Sequence, residues 1–212
     1  DYPDMPSSLM HIYLIEAGPR LLAGMSEESS AHAEQFLREM GVNILLNKRV
    51  VDYRDHKVVL EDGTEIATRT FIWVSGVTGV TIGNLDASLI GRGGRIKVDS
   101  FNRVEGMNNV FAIGDQCIQV ADEDYPNGHP QLAQVAIQQG ELLAKNLVRM
   151  EKGREMKPFH YRNLGSMATV GRNRAVAEFS KVKMQGWFAW VMWLVVHLRS
   201  ILGVRNKVIV LL

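Results

Sequence analysis

Val110-Phe111-Ala112-Ile113-Gly114-Asp115-Gln116-Cys117 is an apolar run that stops on Gly-Asp, and beyond Pro130 the chain continues Ala133-Gln134-Val135-Ala136-Ile137-Gln138-Gln139-Gly140. Read together, these segments predict a strand, a tight turn and a Pro-led helix. A glycine where a strand stops lets backbone approach a bound group with no Cβ in the way. Asp115 then falls at the strand's carboxyl end, where open α/β sheets bind ligands. A carboxylate at that point can accept hydrogen bonds from a sugar-alcohol chain. Pro130 suits the first turn of a helix that should extend to about Glu151, ahead of Gly153.

Upstream, Met10 to Ile15 predicts an apolar strand ending at Glu16, followed by Ala-Gly-Pro-Arg-Leu-Leu. The pattern reads as the second strand of a Rossmann unit without the first, so the sequence looks truncated at its beginning. No Gly-x-Gly-x-x-Gly follows any predicted strand. Gly91-Arg92-Gly93-Gly94 has the wrong spacing and precedes a strand. Ser26 is a candidate N-cap with Glu27 and Glu28 in the first helical turn. That helix should run to about Met40, with Phe36, Leu37 and Met40 at helical spacing and Gly41 closing it. Val42 to Leu46 predicts a buried strand. Residues 49 to 54 and 57 to 60 flank Asp55-His56, and Glu61-Asp62-Gly63-Thr64 signals a further hairpin, giving a β-meander. Phe71 to Ser75 predicts a core strand leading into Gly76-Val77-Thr78-Gly79, a loop whose glycines suggest backbone packed against a ligand or another domain.

Leu85 to Arg95 is glycine-rich and loop-like, a candidate boundary, and Ile96 to Val98 predicts a strand. Gly165 to Gly171 and Ala175 to Phe179 predict two strands joined at Arg172-Asn173-Arg174. The expected domains are therefore 1–80 and 81–180, each a partial nucleotide-binding unit, and an aromatic segment over 181–212.

Composition is ordinary for a folded chain. Of 212 residues, 46% are hydrophobic and 22% charged, and a formal net charge of +1 argues against bulk electrostatic binding of nucleic acid. The single cysteine, Cys117, excludes an internal disulfide and a Cys-x-x-Cys redox pair within this chain. The histidines fall in no metal-ligand spacing, so no metal site is expected.

The last segment differs in character. Trp187-Phe-Ala-Trp-Val-Met-Trp-Leu-Val-Val196 is uninterrupted apolar sequence, too short to span a bilayer, which needs about 20 such residues. Trp187, Trp190 and Trp193, near Lys181, Lys183, Arg199, Arg205 and Lys207, fit a helix lying in a membrane interface. The bland alternative is a buried core or dimer-contact helix. The apolar ending Val208 to Leu212 looks like a cut.

These residues together resemble the type II NADH:quinone oxidoreductases, the single-subunit NADH dehydrogenases that do not pump protons. Ile113-Gly114-Asp115 followed by Ala-Gln-Val-Ala-Ile-Gln is similar to that family's quinone-site motif. Trp73-Val-Ser-Gly-Val77 is similar to its Trp-Thr-Ala-Gly-Val, with Ser75 in place of alanine. Met167-Ala-Thr-Val-Gly-Arg-Asn173 and the aromatic tail also look like family features. The resemblance covers nearly the whole chain as roughly the C-terminal half of such an enzyme. It implies an α/β fold, an incomplete two-dinucleotide-binding-domain flavoprotein of Rossmann-like units with a β-meander, plus a C-terminal amphipathic helix.

The resemblance also implies roles. FAD would be held by Gly114, Asp115, Ala133 and Gln134, with Asp115 on the ribityl chain. Glu16, Ser75 and Gly76 would lie on the NADH side; Glu16 at a strand end favours a free ribose 2′-OH over a 2′-phosphate, with Arg20 nearby as a counterweight. Quinone would meet Gln134, Ala136, Ile137 and Gln138. The cofactors implied are FAD and NADH, and the partners are a quinone and, through Trp187, Trp190, Trp193 and Arg199, a membrane surface on the cytoplasmic face. A homodimer through the tail stays open, and no general acid is identified. Without the glycine fingerprints, these 212 residues alone are expected to hold flavin weakly. Two other readings remain: a soluble NAD(P)H-dependent flavin reductase, which predicts no membrane tail, and a non-catalytic membrane or assembly fragment.

Overall fold

A computed structural model describes residues 10–80, 82–180 and 182–200. The elements run β1 (Ile12–Ile15), α1 (Glu27–Glu39), β2 (Val42–Leu45), β3 (Val50–Arg54), β4 (Lys57–Leu60) and β5 (Glu65–Ala67). They continue β6 (Ile96–Val98), β7 (Cys117–Gln119), α2 (Ala133–Glu151), β8 (Ser166–Gly171), β9 (Arg174–Phe179), β10 (Val182–Gln185) and α3 (Gly186–Ser200). The chain forms two compact units, one from residues up to Ile72 together with those from Leu164 onward, the other from Trp73–Asn163. β8, β9 and β10 pack on α1, within the first unit.

In the first unit β1 and β2 pair in parallel, with Ile12 opposite Val42 and Ile15 opposite Leu45. α1 makes the crossover between them. Its start follows from local chemistry: Ser26 is extended, and its side chain accepts the N–H of Ser29. Its end follows from Gly41, whose φ of +82° suits only a residue without a Cβ. β3, β4 and β5 form the expected antiparallel meander. A second antiparallel sheet has the order β10-β9-β8, turning at Asn173 with φ +63°. The sequence reading found β8 and β9 and missed β10, whose short Val-Lys-Met-Gln alternation is overshadowed by the aromatic run behind it.

α1 is fastened to this second sheet at both ends. The Glu178 carboxylate accepts the Ser26 N–H at 3.0 Å and the Ser26 hydroxyl, taking the place of a solvent partner at the helix start. At the other end Arg174 donates to the Phe36 carbonyl at 3.3 Å and pairs with Glu39 at 3.1 Å. α3 packs back on the sheet through Ala189, which is fully buried against Ala175 and Ala177, with Trp190 beside them.

In the second unit β6 and β7 pair in parallel, Ile96 opposite Cys117, over a core of Ile96, Val98, Val104 and Cys117. α2 covers a second cluster of Val135, Phe159 and Tyr161. Two expected strands do not form. Phe71 to Ser75 has no ladder partner among the described residues, and Ile72, Trp73 and Val74 are exposed. Val110 to Ile113 makes one isolated antiparallel bridge, Arg103 with Phe111, and the strand proper begins only after the turn, at Cys117. α2 also starts later than Pro130, because the Pro130 carbonyl accepts the Leu132 N–H in a tight turn and Leu132 is still extended.

Candidate functional site

The Gly114-Asp115 segment is a single 3₁₀ turn, Gly114–Gln116, rather than a strand end. Gly114 has φ +66°, and a Cβ there would lie 3.2 Å from the Cβ of Ala136. Glycine is therefore favoured twice, for its backbone conformation and for the close approach of α2. The turn is held against the helix by Gln139, whose buried side-chain carbonyl accepts the Gly114 N–H at 2.7 Å. On the other side the Gln131 amide donates to the Asp115 carbonyl at 3.1 Å. The Asp115 side chain is left exposed, next to a helix start that carries no side-chain cap.

The second unit thus brings together Gly114, Asp115, Ala133, Gln134, Ala136, Ile137 and Gln138. On α2 Ala133 and Ile137 are exposed, while Gln134, Ala136 and Gln138 are half-buried. Gln138 is not a free donor pair. Its amide donates to the Arg162 carbonyl at 2.9 Å and accepts the Arg162 N–H at 3.1 Å. Asn146, two turns further on, does the same for Lys157, at 2.8 and 2.9 Å. The returning segment 157–162 is in no sheet, so helix amides satisfy the backbone at its two ends, Lys157 and Arg162, while the Phe159 N–H reaches the Ser100 carbonyl. A cavity of about 300 Å³ opens beside Gln138, between α2 and Pro158-Phe159-His160.

Behind α2 lies a buried pair. His129 Nε2 is 2.9 Å from Asp122 Oδ2, which also accepts the Tyr161 N–H at 3.2 Å. Burial alone would raise the Asp122 carboxyl, but the hydrogen bonds from His129, Tyr161 and Asp124 outweigh it and hold the group below its ordinary value. Tyr125, Phe159 and Tyr161 enclose the imidazole. Cys117 is buried, and desolvation pushes its thiol up, the opposite of an activated thiolate.

Ser75 and Gly76 are exposed, Gly76 with φ +105°. Further along that loop, Gly79 packs on Gly94 so closely that a Cβ would lie 2.3 Å from the Gly94 carbonyl oxygen. In the other unit Glu16 follows β1, and one of its carboxylate oxygens accepts the Gly18 N–H at 2.7 Å. Trp187 and Phe188 are exposed and meet edge to face, Trp190 packs inward, and Trp193 stacks on His197. Arg199 is exposed. No helix among the described residues is long and apolar enough to cross a membrane. Lys181, Arg205, Lys207 and Val208 to Leu212 lie outside the described residues.

Sequence reading missed Gln139 and the Asp122–His129 pair. A signal for Gln139 was present: Val135, Gln139, Leu142 and Asn146 fall on one helical stripe, and amides inside an otherwise inward stripe serve backbone groups.

The family described as pyridine nucleotide-disulphide oxidoreductase matches residues 7–140, and the NDH2 C-terminal domain matches residues 163–212. The type II NADH:quinone oxidoreductase NdhA of Mycobacterium tuberculosis is 35% identical over 93% of this chain and 43% of its own length. The type II NADH:quinone oxidoreductase of Haemophilus influenzae is 30% identical over 89% of this chain and 44% of its own length. The chain therefore spans less than half the length of these relatives. The structure of Plasmodium falciparum NDH2 in complex with NADH superposes with a TM-score of 0.81 at 19% identity, over 93% of this chain and 56% of that one. The sulfide:quinone oxidoreductase of Aquifex aeolicus gives 0.66 at 15% identity, over 85% and 47%. Both structural likenesses establish the shared fold.

Proposed function

Because this chain belongs to the pyridine nucleotide-disulphide oxidoreductase family, and matches the type II NADH:quinone oxidoreductases along most of its length, we propose that it serves FAD-dependent oxidation of NADH with reduction of a membrane quinone, without proton pumping. The observation that carries the reading is the Gly114–Gln139 hydrogen bond. It fixes one helix, α2, against the turn bearing Asp115, so that flavin-side and quinone-side groups share a single rigid element.

The residues fit FAD. Asp115 presents an exposed carboxylate, Gly114 holds the turn beside it close against α2, and α2 begins without a side-chain cap. Asp115 would accept a hydrogen bond from the ribityl chain, and Gly114, Ala133 and Gln134 would line the approach. Bound there, FAD would supply the hydride-accepting ring. The dipole at the α2 N-terminus would favour negative charge gathered near it. Gln134 and Gln138 would donate to a quinone carbonyl, Gln138 through the amide hydrogen that Arg162 does not use, with Ala136 and Ile137 as the apolar walls. Glu16 would accept a ribose hydroxyl of NADH.

α3 would lie at the cytoplasmic membrane surface through Trp187, Trp193 and Arg199. Support comes from the apolar residues it exposes, Phe188 and Val195 among them. The functional test is steady-state turnover by the chain expressed in its full coding context. NADH consumption that requires a quinone acceptor supports the reading. Turnover with a disulfide or ferredoxin acceptor and none with quinone contradicts it.

A further inference from the structure

Arg95 is buried, only 9% exposed, and forms no ion pair among the described residues. Two of its guanidinium nitrogens donate to backbone carbonyls instead. Nε donates to Cys117 at 2.6 Å, and Nη2 donates to His129 at 3.0 Å. Cys117 is the first residue after the Gly114–Gln116 turn; His129 immediately precedes Pro130 and the approach to α2. The two segments are also pressed together at Gly128, where a Cβ would lie 2.6 Å from Ile118 Cγ1. Burial pushes the guanidinium's pKa down, with Cys117 and Asp115 opposing.

A buried cation without a carboxylate partner is costly, and a planar fork reaching two carbonyls fixes both in direction and distance. We propose that Arg95 is a positioning residue that sets the spacing between the Gly114-Asp115 turn and the start of α2, and so between the flavin-side carboxylate and the quinone-side glutamines. The flavin and quinone half of this statement rests on the function proposed above; the clamp between the two segments does not. Lysine at this position keeps the charge and loses the fork, which separates geometry from electrostatics.

The test uses Arg95→Lys and Arg95→Met in the chain's full coding context, purified with its flavin and compared by hydrogen–deuterium exchange and visible circular dichroism. Charge-assisted hydrogen bonds of this kind correspond to about a tenfold or greater change in local opening. Both variants should therefore exchange faster by about that factor over residues 114–119 and 131–136. Residues 142–149, later in α2 and in the same unit, should keep the unsubstituted rate and so report intact folding. The flavin's dichroism should shift in both variants. Unchanged exchange in Arg95→Lys overturns the clamp, whatever Arg95→Met does. Faster exchange with an unchanged flavin signal overturns its role towards the cofactor. Faster exchange in variants of a protein that reduces no quinone upholds the clamp and overturns the functional reading.

Discussion

The side-chain carbonyl of Gln139 accepts the backbone N–H of Gly114 at 2.7 Å, tying the middle of α2 to the turn that carries Asp115. Gln139 is 1% exposed and Gly114 is half-buried. Gln139→Leu keeps the volume and removes the acceptor, leaving the Gly114 N–H without its partner. The expected loss is about 1–3 kcal/mol, read as a lower unfolding midpoint in denaturant. Gln138→Leu, on the half-buried face, should lose less.

Gly114→Ala tests the same contact from the other side. The substitution forces a side chain into φ +66° and puts a methyl 3.2 Å from Ala136 Cβ. The backbone alone should cost about 1–2 kcal/mol, with α2 displaced from the turn. Gly24→Ala is the control, since a Cβ there meets nothing within 4 Å and its φ lies outside the left-handed region. Equal thermal midpoints for the two variants would contradict the assigned role of Gly114.

Much of the fold was legible because its rules are local. Ser26 begins α1, Gly41 ends it, Asp62-Gly63 turns the meander, and Asn173 turns β8 into β9, each through one residue's own backbone preference or capping atom. What the sequence hid depends on distant partners. Phe71 to Ser75 and Val110 to Ile113 have the composition of strands, but a strand also needs a ladder, and apolar runs cannot announce where that ladder lies. The candidate site divides the same way. Gly114, Asp115 and the α2 glutamines were visible as a motif, whereas Gln139, Arg95 and Asp122 act on backbone groups or buried partners that spacing alone does not reveal.

Asp122 predicts an acid sensitivity. Its carboxyl is held below the ordinary 3.8 because His129, Tyr161 and Asp124 hydrogen bonds overcome the cost of burial. A lowered folded value means the stabilisation is complete above the unfolded value and is lost as pH falls through the folded one. Unfolding free energy should therefore drop below about pH 4, and Asp122→Asn should flatten that part of the profile. An Asp122→Asn profile parallel to the unsubstituted one would contradict the account.

The aromatic helix predicts a split between its tryptophans. Trp187 is 55% exposed, whereas Trp190 packs on the Ala175–Ala177–Ala189 cluster. Trp187→Ser should weaken partition onto anionic liposomes by about tenfold, the effect of about 1.5 kcal/mol of apolar contact, with little change in melting. Trp190→Ser should instead lower the melting temperature, because it opens a cavity behind α3. Liposome binding that survives Trp187→Ser together with Phe188→Ser would remove α3 from the membrane surface.

The central claim is tested most directly by an anaerobic absorbance titration of the chain in its full coding context. The account predicts a bound flavin that NADH bleaches and a soluble quinone analogue restores, with Asp115→Asn retaining less flavin. A protein without flavin, or a flavin that NADH bleaches and quinone cannot restore, would contradict it.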